Sequence, residues 1–118
     1  MKALTLEAYN KFTYGDAPDP TLNQGDVMIE VKACGICGSD VHGMDGSSGR
    51  RIPPIIMGHE ASGVITQVTA NASGWNKGDR VTFDSTIYCG ECEYCKTDNV
   101  NLCNDRRVMG VSPGDYRQ

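Results

Sequence analysis

The sequence predicts a mainly β fold: an antiparallel, barrel-like body of short strands, interrupted by one irregular lobe. Three observations predict it. Glycine is abundant, 14 of 118 residues, and scattered at turn positions, as short strands with tight connections require. Val27, Ile29 and Val31 alternate with Met28, Glu30 and Lys32, the period of a half-buried strand. Four of the six cysteines crowd into the stretch YCGECEYCKTDNVNLC, Tyr88 to Cys103, among few apolar residues.

Taken in order, Lys2 to Tyr9 reads as a first strand, and Asp16-Ala17-Pro18-Asp19-Pro20 breaks it. Gly25-Asp26 is a turn into the alternating strand. Cys37 to Met44 suits a short turn or helix with Ser39 or Asp40 near its N-cap, since both side chains accept from backbone N–H groups. Gly63 to Val68 and Arg80 to Phe83 are two further strands, the second fed by the turn Lys77-Gly78-Asp79. The irregular lobe runs from about Ser85 to Cys103.

Bulk properties narrow the function. At 118 residues the chain is long enough for one domain with its own core. A hydrophobic fraction of 39% and a charged fraction of 22% fit neither a disordered tail nor a membrane protein. A net charge of −4 argues against nucleic acid and anionic membrane as partners. No run of about 18 apolar residues occurs, so no membrane-spanning helix is expected. MKALTLEAYN has no apolar core of a secretory signal. The expected compartment is the cytoplasm, where clustered thiols bind metal more often than they form disulfides. The sequon Asn71-Ala72-Ser73 is then a chance match.

The lobe's spacing is Cys89-x2-Cys92-x2-Cys95-x7-Cys103. Four thiolates offered this closely suit one tetrahedral zinc. Around the cysteines the lobe has few apolar residues, Tyr88, Tyr94, Val100 and Leu102 among them, so a metal would supply the ordering that burial cannot. A disulfide framework and an iron–sulfur cluster are the competing readings. With all four positions held by protein, such a zinc is structural, and chemistry must lie elsewhere.

A second constellation is Cys34-Gly-Ile-Cys37-Gly-Ser-Asp-Val-His42, followed by Gly58-His59-Glu60. Cys34-x2-Cys37 alone suggests a redox dithiol, but such pairs open a long helix and no such pattern follows. Cys34 is expected in the core as a small hydrophobe. Cys37 and His59 with acidic neighbours have the makings of a catalytic zinc site, which keeps one position open. Asp40 is placed to accept from the His59 ring nitrogen not on the metal. Ser39 would set a hydroxyl near the metal, and His42 an imidazole that passes protons to solvent. Taken singly, a buried Cys and a hydrogen-bonded core His explain either residue as well.

CGICGSDVH, GHEASGVI, NKGDRVTF and the four-cysteine lobe, in this order and spacing, resemble the zinc-dependent medium-chain alcohol dehydrogenase family over about residues 1–112. The resemblance implies a GroES-like, partly open β-barrel with a structural-zinc lobe at about 85–105. It implies Cys37 and His59 as ligands of a catalytic zinc, with Glu60 beside the metal and able to join it. Ser39 would take the substrate hydroxyl proton and His42 relay it. Cys89, Cys92, Cys95 and Cys103 would hold a structural zinc. The implied reaction is oxidation of a small-molecule alcohol or polyol with hydride passing to NAD or NADP, in a homo-oligomeric full-length enzyme. The form Cys-Gly-Ser-Asp-Val-His is similar to the sorbitol and threonine dehydrogenase branch. The alternatives are an inactive stand-alone zinc-binding module and amino-alcohol oxidation of the threonine dehydrogenase kind.

The chain departs from the pattern at Thr69, where many members carry Gly. The family's third protein ligand to the catalytic zinc and its nucleotide-binding domain would lie beyond Gln118, and no Gly-x-Gly-x-x-Gly occurs. Residues 1–118 therefore read as a truncated catalytic domain, ending VMGVSPGDYRQ, expected to be inactive by itself. The face that would meet the missing domain is expected to be apolar and exposed around Ile36, Met44, Ile55, Ile56 and Met57.

Overall fold

A computed structural model describes residues 1–112; the end of the VMGVSPGDYRQ segment lies outside them. Strand β1 (Lys2–Ala8) turns through Tyr9 and Asn10 into β2 (Lys11–Asp16). Asn10 takes a left-handed φ of 61°, which Asn tolerates better than most residues. This hairpin was not expected, because β2 is exposed almost throughout and gives no period-two signal. Strand β4 (Ile55–Ile56) lies antiparallel on the other edge of β1, giving the order β2-β1-β4.

The second sheet has the order β3-β5-β6, from β3 (Val27–Cys34), β5 (Ala61–Val68) and β6 (Arg80–Thr82). Along β5 the alternation is clean at Ala61, Gly63 and Ile65, all buried. Along β3 it is not. Irregularities in register between Met28 and Ile29 and between Val31 and Ala33 turn the strand partway. Val31, expected inside, is 54% exposed. Thr69 acts as a clasp: its hydroxyl accepts from the Gly25 N–H at 2.9 Å and donates to the Asp26 carbonyl at 2.8 Å. The turn before β3 is thereby tied to the end of β5.

The short helix α1 (Gly38–Gly43) is capped by Cys37 and Met44, the range expected for it. Asp40 sits in its first turn and accepts from the Cys37 N–H at 3.0 Å. The irregular lobe has a closed neck: β7 (Thr86–Ile87) pairs with β8 (Arg107–Val108). Within it lie helix α2 (Glu93–Lys96) and a 3-10 turn (Val100–Leu102).

The architecture is mainly β and partly open, two three-stranded sheets and a two-stranded neck. Ala3, Leu6, Ile55, Ala61, Ile65 and Val111 form a small apolar core. Among the described residues no helix is long and apolar enough to cross a membrane.

Candidate metal centres

The lobe gathers Cys89, Cys92, Cys95 and Cys103 with all four sulfurs within 4.8 Å of one another. Their separations are 3.5 Å for Cys92–Cys95, 3.6 Å for Cys89–Cys103 and 3.9 Å for Cys89–Cys95. A tetrahedral zinc with bonds of about 2.3 Å needs sulfurs about 3.8 Å apart. The donor set therefore fits one zinc. All six cysteines are free thiols, so the structure contains no disulfide framework.

Backbone N–H groups aim at the sulfurs, as a thiolate set requires. Cys89 Sγ accepts from Cys92 at 3.3 Å and Glu91 at 3.5 Å, and these two N–H groups lower its pKa. The Cys92 thiol is lowered to about 6 by the Cys95 and Asn104 N–H groups. Burial and the neighbouring Cys92 push Cys95 up to about 12.

The second centre is built at the meeting of β3, α1 and β5. Cys37, His59 and Glu60 each offer a ligand atom, all within 4.8 Å of one another. Two glycines make the approach possible. A Cβ on Gly35 would sit 2.9 Å from a Glu60 carboxylate oxygen. Gly58 has a φ of +116°, and a Cβ there would lie 2.8 Å from Cys34 Sγ. Cys34 is thus exposed and packed against the backbone before His59, not in the core as expected.

Ser39 Oγ lies 3.4 Å from His59 Nε2. His59 Nδ1 is buried, faces Asp40 Oδ1 at 3.4 Å, and makes no hydrogen bond. With Nδ1 buried against Asp40, Nε2, beside the Ser39 hydroxyl, is the ring nitrogen a metal could reach. His42 is exposed and, among the described residues, no hydrogen bond joins it to Ser39. Arg51, which the sequence did not single out, is 1% exposed and pairs with Asp40 at 2.7 Å. An open cleft of about 590 Å³ runs beside the centre, lined by Gly35, His59, Glu60, Ser62, Thr82 and Phe83 among others. Three ligand atoms, an adjacent hydroxyl and an open cleft fit a metal that keeps one position for substrate.

Of the expected apolar face, Ile36 stands 86% exposed beside Cys37, whereas Ile55 lies in the core. Met44, Ile56 and Met57 are half-buried. The pairing of Ile55 with Leu6 across β4 and β1 explains the difference.

The alcohol dehydrogenase GroES-like domain matches residues 23–118. The chain belongs to this family. D-arabitol-phosphate dehydrogenase of Enterococcus avium is 40% identical over 114 residues, covering 94% of this chain and 32% of that protein. L-threonine 3-dehydrogenase of Yersinia pestis is 37% identical over 123 residues, covering 100% of this chain and 36% of that one. A Sinorhizobium meliloti protein described as a zinc-binding dehydrogenase, solved bound to NADP, superposes with a TM-score of 0.81 at 33% identity. That likeness covers 94% of this chain and 32% of the other. The chain spans about a third of the length of the curated relatives it matches.

Proposed function

We propose that this chain is the alcohol-activating part of a zinc-dependent, NAD(P)-linked dehydrogenase of polyols, with one structural and one catalytic zinc. The observation that carries it is that Cys37, His59 and Glu60 bring ligand atoms within 4.8 Å of one another, beside a cleft that His59 and Glu60 line. Zinc bound there would supply a Lewis acid that lowers the pKa of an alcohol hydroxyl. Cys37 and His59 would hold it, with Glu60 as a further ligand able to come and go. Ser39, 3.4 Å from His59 Nε2, would accept the substrate's hydroxyl proton, and exposed His42 would pass it to solvent. Cys89, Cys92, Cys95 and Cys103 would hold the structural zinc. The nicotinamide cofactor and a homo-oligomeric assembly belong to a full-length enzyme, with the cytoplasm as the compartment that keeps the thiols reduced.

The likeness to D-arabitol-phosphate dehydrogenase supports a polyol substrate. The likeness to L-threonine 3-dehydrogenase supports an amino alcohol as the second reading. Cobalt(II) in place of zinc distinguishes them. Polyols such as sorbitol should shift the visible spectrum of the Cys37-dependent cobalt at millimolar concentration. A shift with threonine alone would favour the second reading. No shift with either would leave a zinc-binding module without alcohol chemistry.

A further inference from the structure

We infer that Arg51 is a positioning residue for this centre: through Asp40 it sets the ring of His59, and through Ser39 it gives the hydroxyl one direction of proton passage. The inference rests on the proposed metal site, and the test below separates the two.

A guanidinium this buried is costly unless it is paired and hydrogen-bonded. Arg51 turns the two donors of its Nη2 toward the proposed metal centre. Its Nη2 donates to Asp40 Oδ1 at 2.7 Å and to Ser39 Oγ at 3.3 Å. The Asp40 carboxylate in turn accepts from the Cys37 N–H at 3.0 Å through Oδ2 and faces His59 Nδ1 at 3.4 Å through Oδ1. One carboxylate thus touches Arg51 and two proposed ligands. Helix α1 makes room for the guanidinium. A Cβ on Gly43 would sit 2.5 Å from Nη1 and 2.7 Å from Cδ of Arg51, so only glycine lets that helix lie flat on the side chain.

Arginine carries five donors and no acceptor. Ser39 can therefore only accept from Arg51, which occupies one of its two lone pairs. The remaining lone pair and the hydroxyl's own proton face other partners. A proton arriving from a substrate hydroxyl must land on that lone pair, and Ser39 must release its own proton elsewhere. Without Arg51 the hydroxyl can rotate and use either lone pair.

The imidazole is fixed by the same pair. If a metal takes Nε2, the proton sits on Nδ1, and Asp40 is the acceptor facing it. His59 Nδ1 and Arg51 Nε are the two buried side-chain polar atoms without a hydrogen-bond partner among the described residues. Both lie in this cluster, and a small rotation of the Asp40 carboxylate would close the first.

The test uses the 118-residue chain, with Arg51→Met, Arg51→Lys, Asp40→Asn and the pair Asp40→Asn/Arg51→Met. Cobalt(II) affinity is read at the Cys37-dependent centre, with the four-cysteine lobe as an internal control of folding. Nitrogen-15 NMR of the His59 ring in the metal-free chain reads the tautomer. Arg51→Met should weaken cobalt binding 10–100-fold at the Cys37-dependent centre, leave the lobe unchanged, and mix the His59 tautomers. Arg51→Lys should recover part of the affinity. In the Asp40→Asn background, Arg51→Met should cost little more. Parent-like affinity and tautomer in Arg51→Met, or an equal loss with and without Asp40, would overturn the inference. If Arg51→Met unfolds, the charge-neutral pair decides: a folded pair with a parent-like single tautomer would overturn it. If the parent itself binds no Cys37-dependent cobalt, the metal-site reading fails, and the tautomer comparison still decides the role of Arg51.

Discussion

Gly58 sets the backbone immediately before His59, one of the proposed metal ligands. Its φ of +116° is in the region where side chains are strained, and a Cβ would meet Cys34 Sγ at 2.8 Å. Gly58→Ala should cost about 1–3 kcal/mol in urea unfolding. Adding Cys34→Ala should recover only part, since the backbone strain remains; an unchanged midpoint in Gly58→Ala would contradict the geometry. At this scale residue type and spacing pointed to Cys37 and His59 as candidates, and the family resemblance added Glu60; the structure brings the three together. Arg51 was hidden. Arg50 and Arg51 are adjacent and alike on paper, yet Arg50 is exposed and Arg51 buried. Only Gly43, eight residues earlier on α1, makes the space, and a lone glycine in a short helix carries no such message by itself.

In the lobe the four thiols do not start from the same protonation state. In the metal-free chain at pH 7, Cys92, with a pKa lowered to about 6, is already ionised. Cys95, raised to about 12, still carries its proton. Zinc needs thiolates, so binding removes the Cys95 proton and takes almost none from Cys92. Calorimetry in buffers of different ionisation enthalpy should therefore find fewer than four protons released per lobe zinc at pH 7. As pH falls through about 6, Cys92 regains its proton, the count rises, and affinity falls more steeply. Four protons released at both pH values would contradict these shifts. The element scale also explains what the sequence concealed. The expected strand Gly63–Val68 is found as the last six residues of β5, which begins two residues earlier at Ala61. β4, β7 and β8 have two residues each, too short for any period, and long-range pairing alone creates them. In β3 the pattern was present but the register irregularities broke its consequence.

At the scale of the molecule, the chain is broad and thin, 40 × 35 × 21 Å, with a radius of gyration of 15.1 Å. A compact domain of this length would have about 13.5 Å. The small core and the open sheets leave the cleft beside His59 and Glu60 facing outward. Fold class and both thiol constellations could be read from the sequence because spacing along the chain carried them. The shape of the cleft could not, since it depends on how the two sheets and α1 meet. Two centres of different kind should result: a closed one of four thiolates, and an open one held by Cys37, His59 and Glu60. Zinc content per chain, before and after a weak chelator, in the parent, Cys95→Ser and Cys37→Ser, tests this most directly. Two zincs in the parent are expected, the chelator removing only the one that Cys37→Ser abolishes. A single zinc that is insensitive to Cys37→Ser would contradict the open centre.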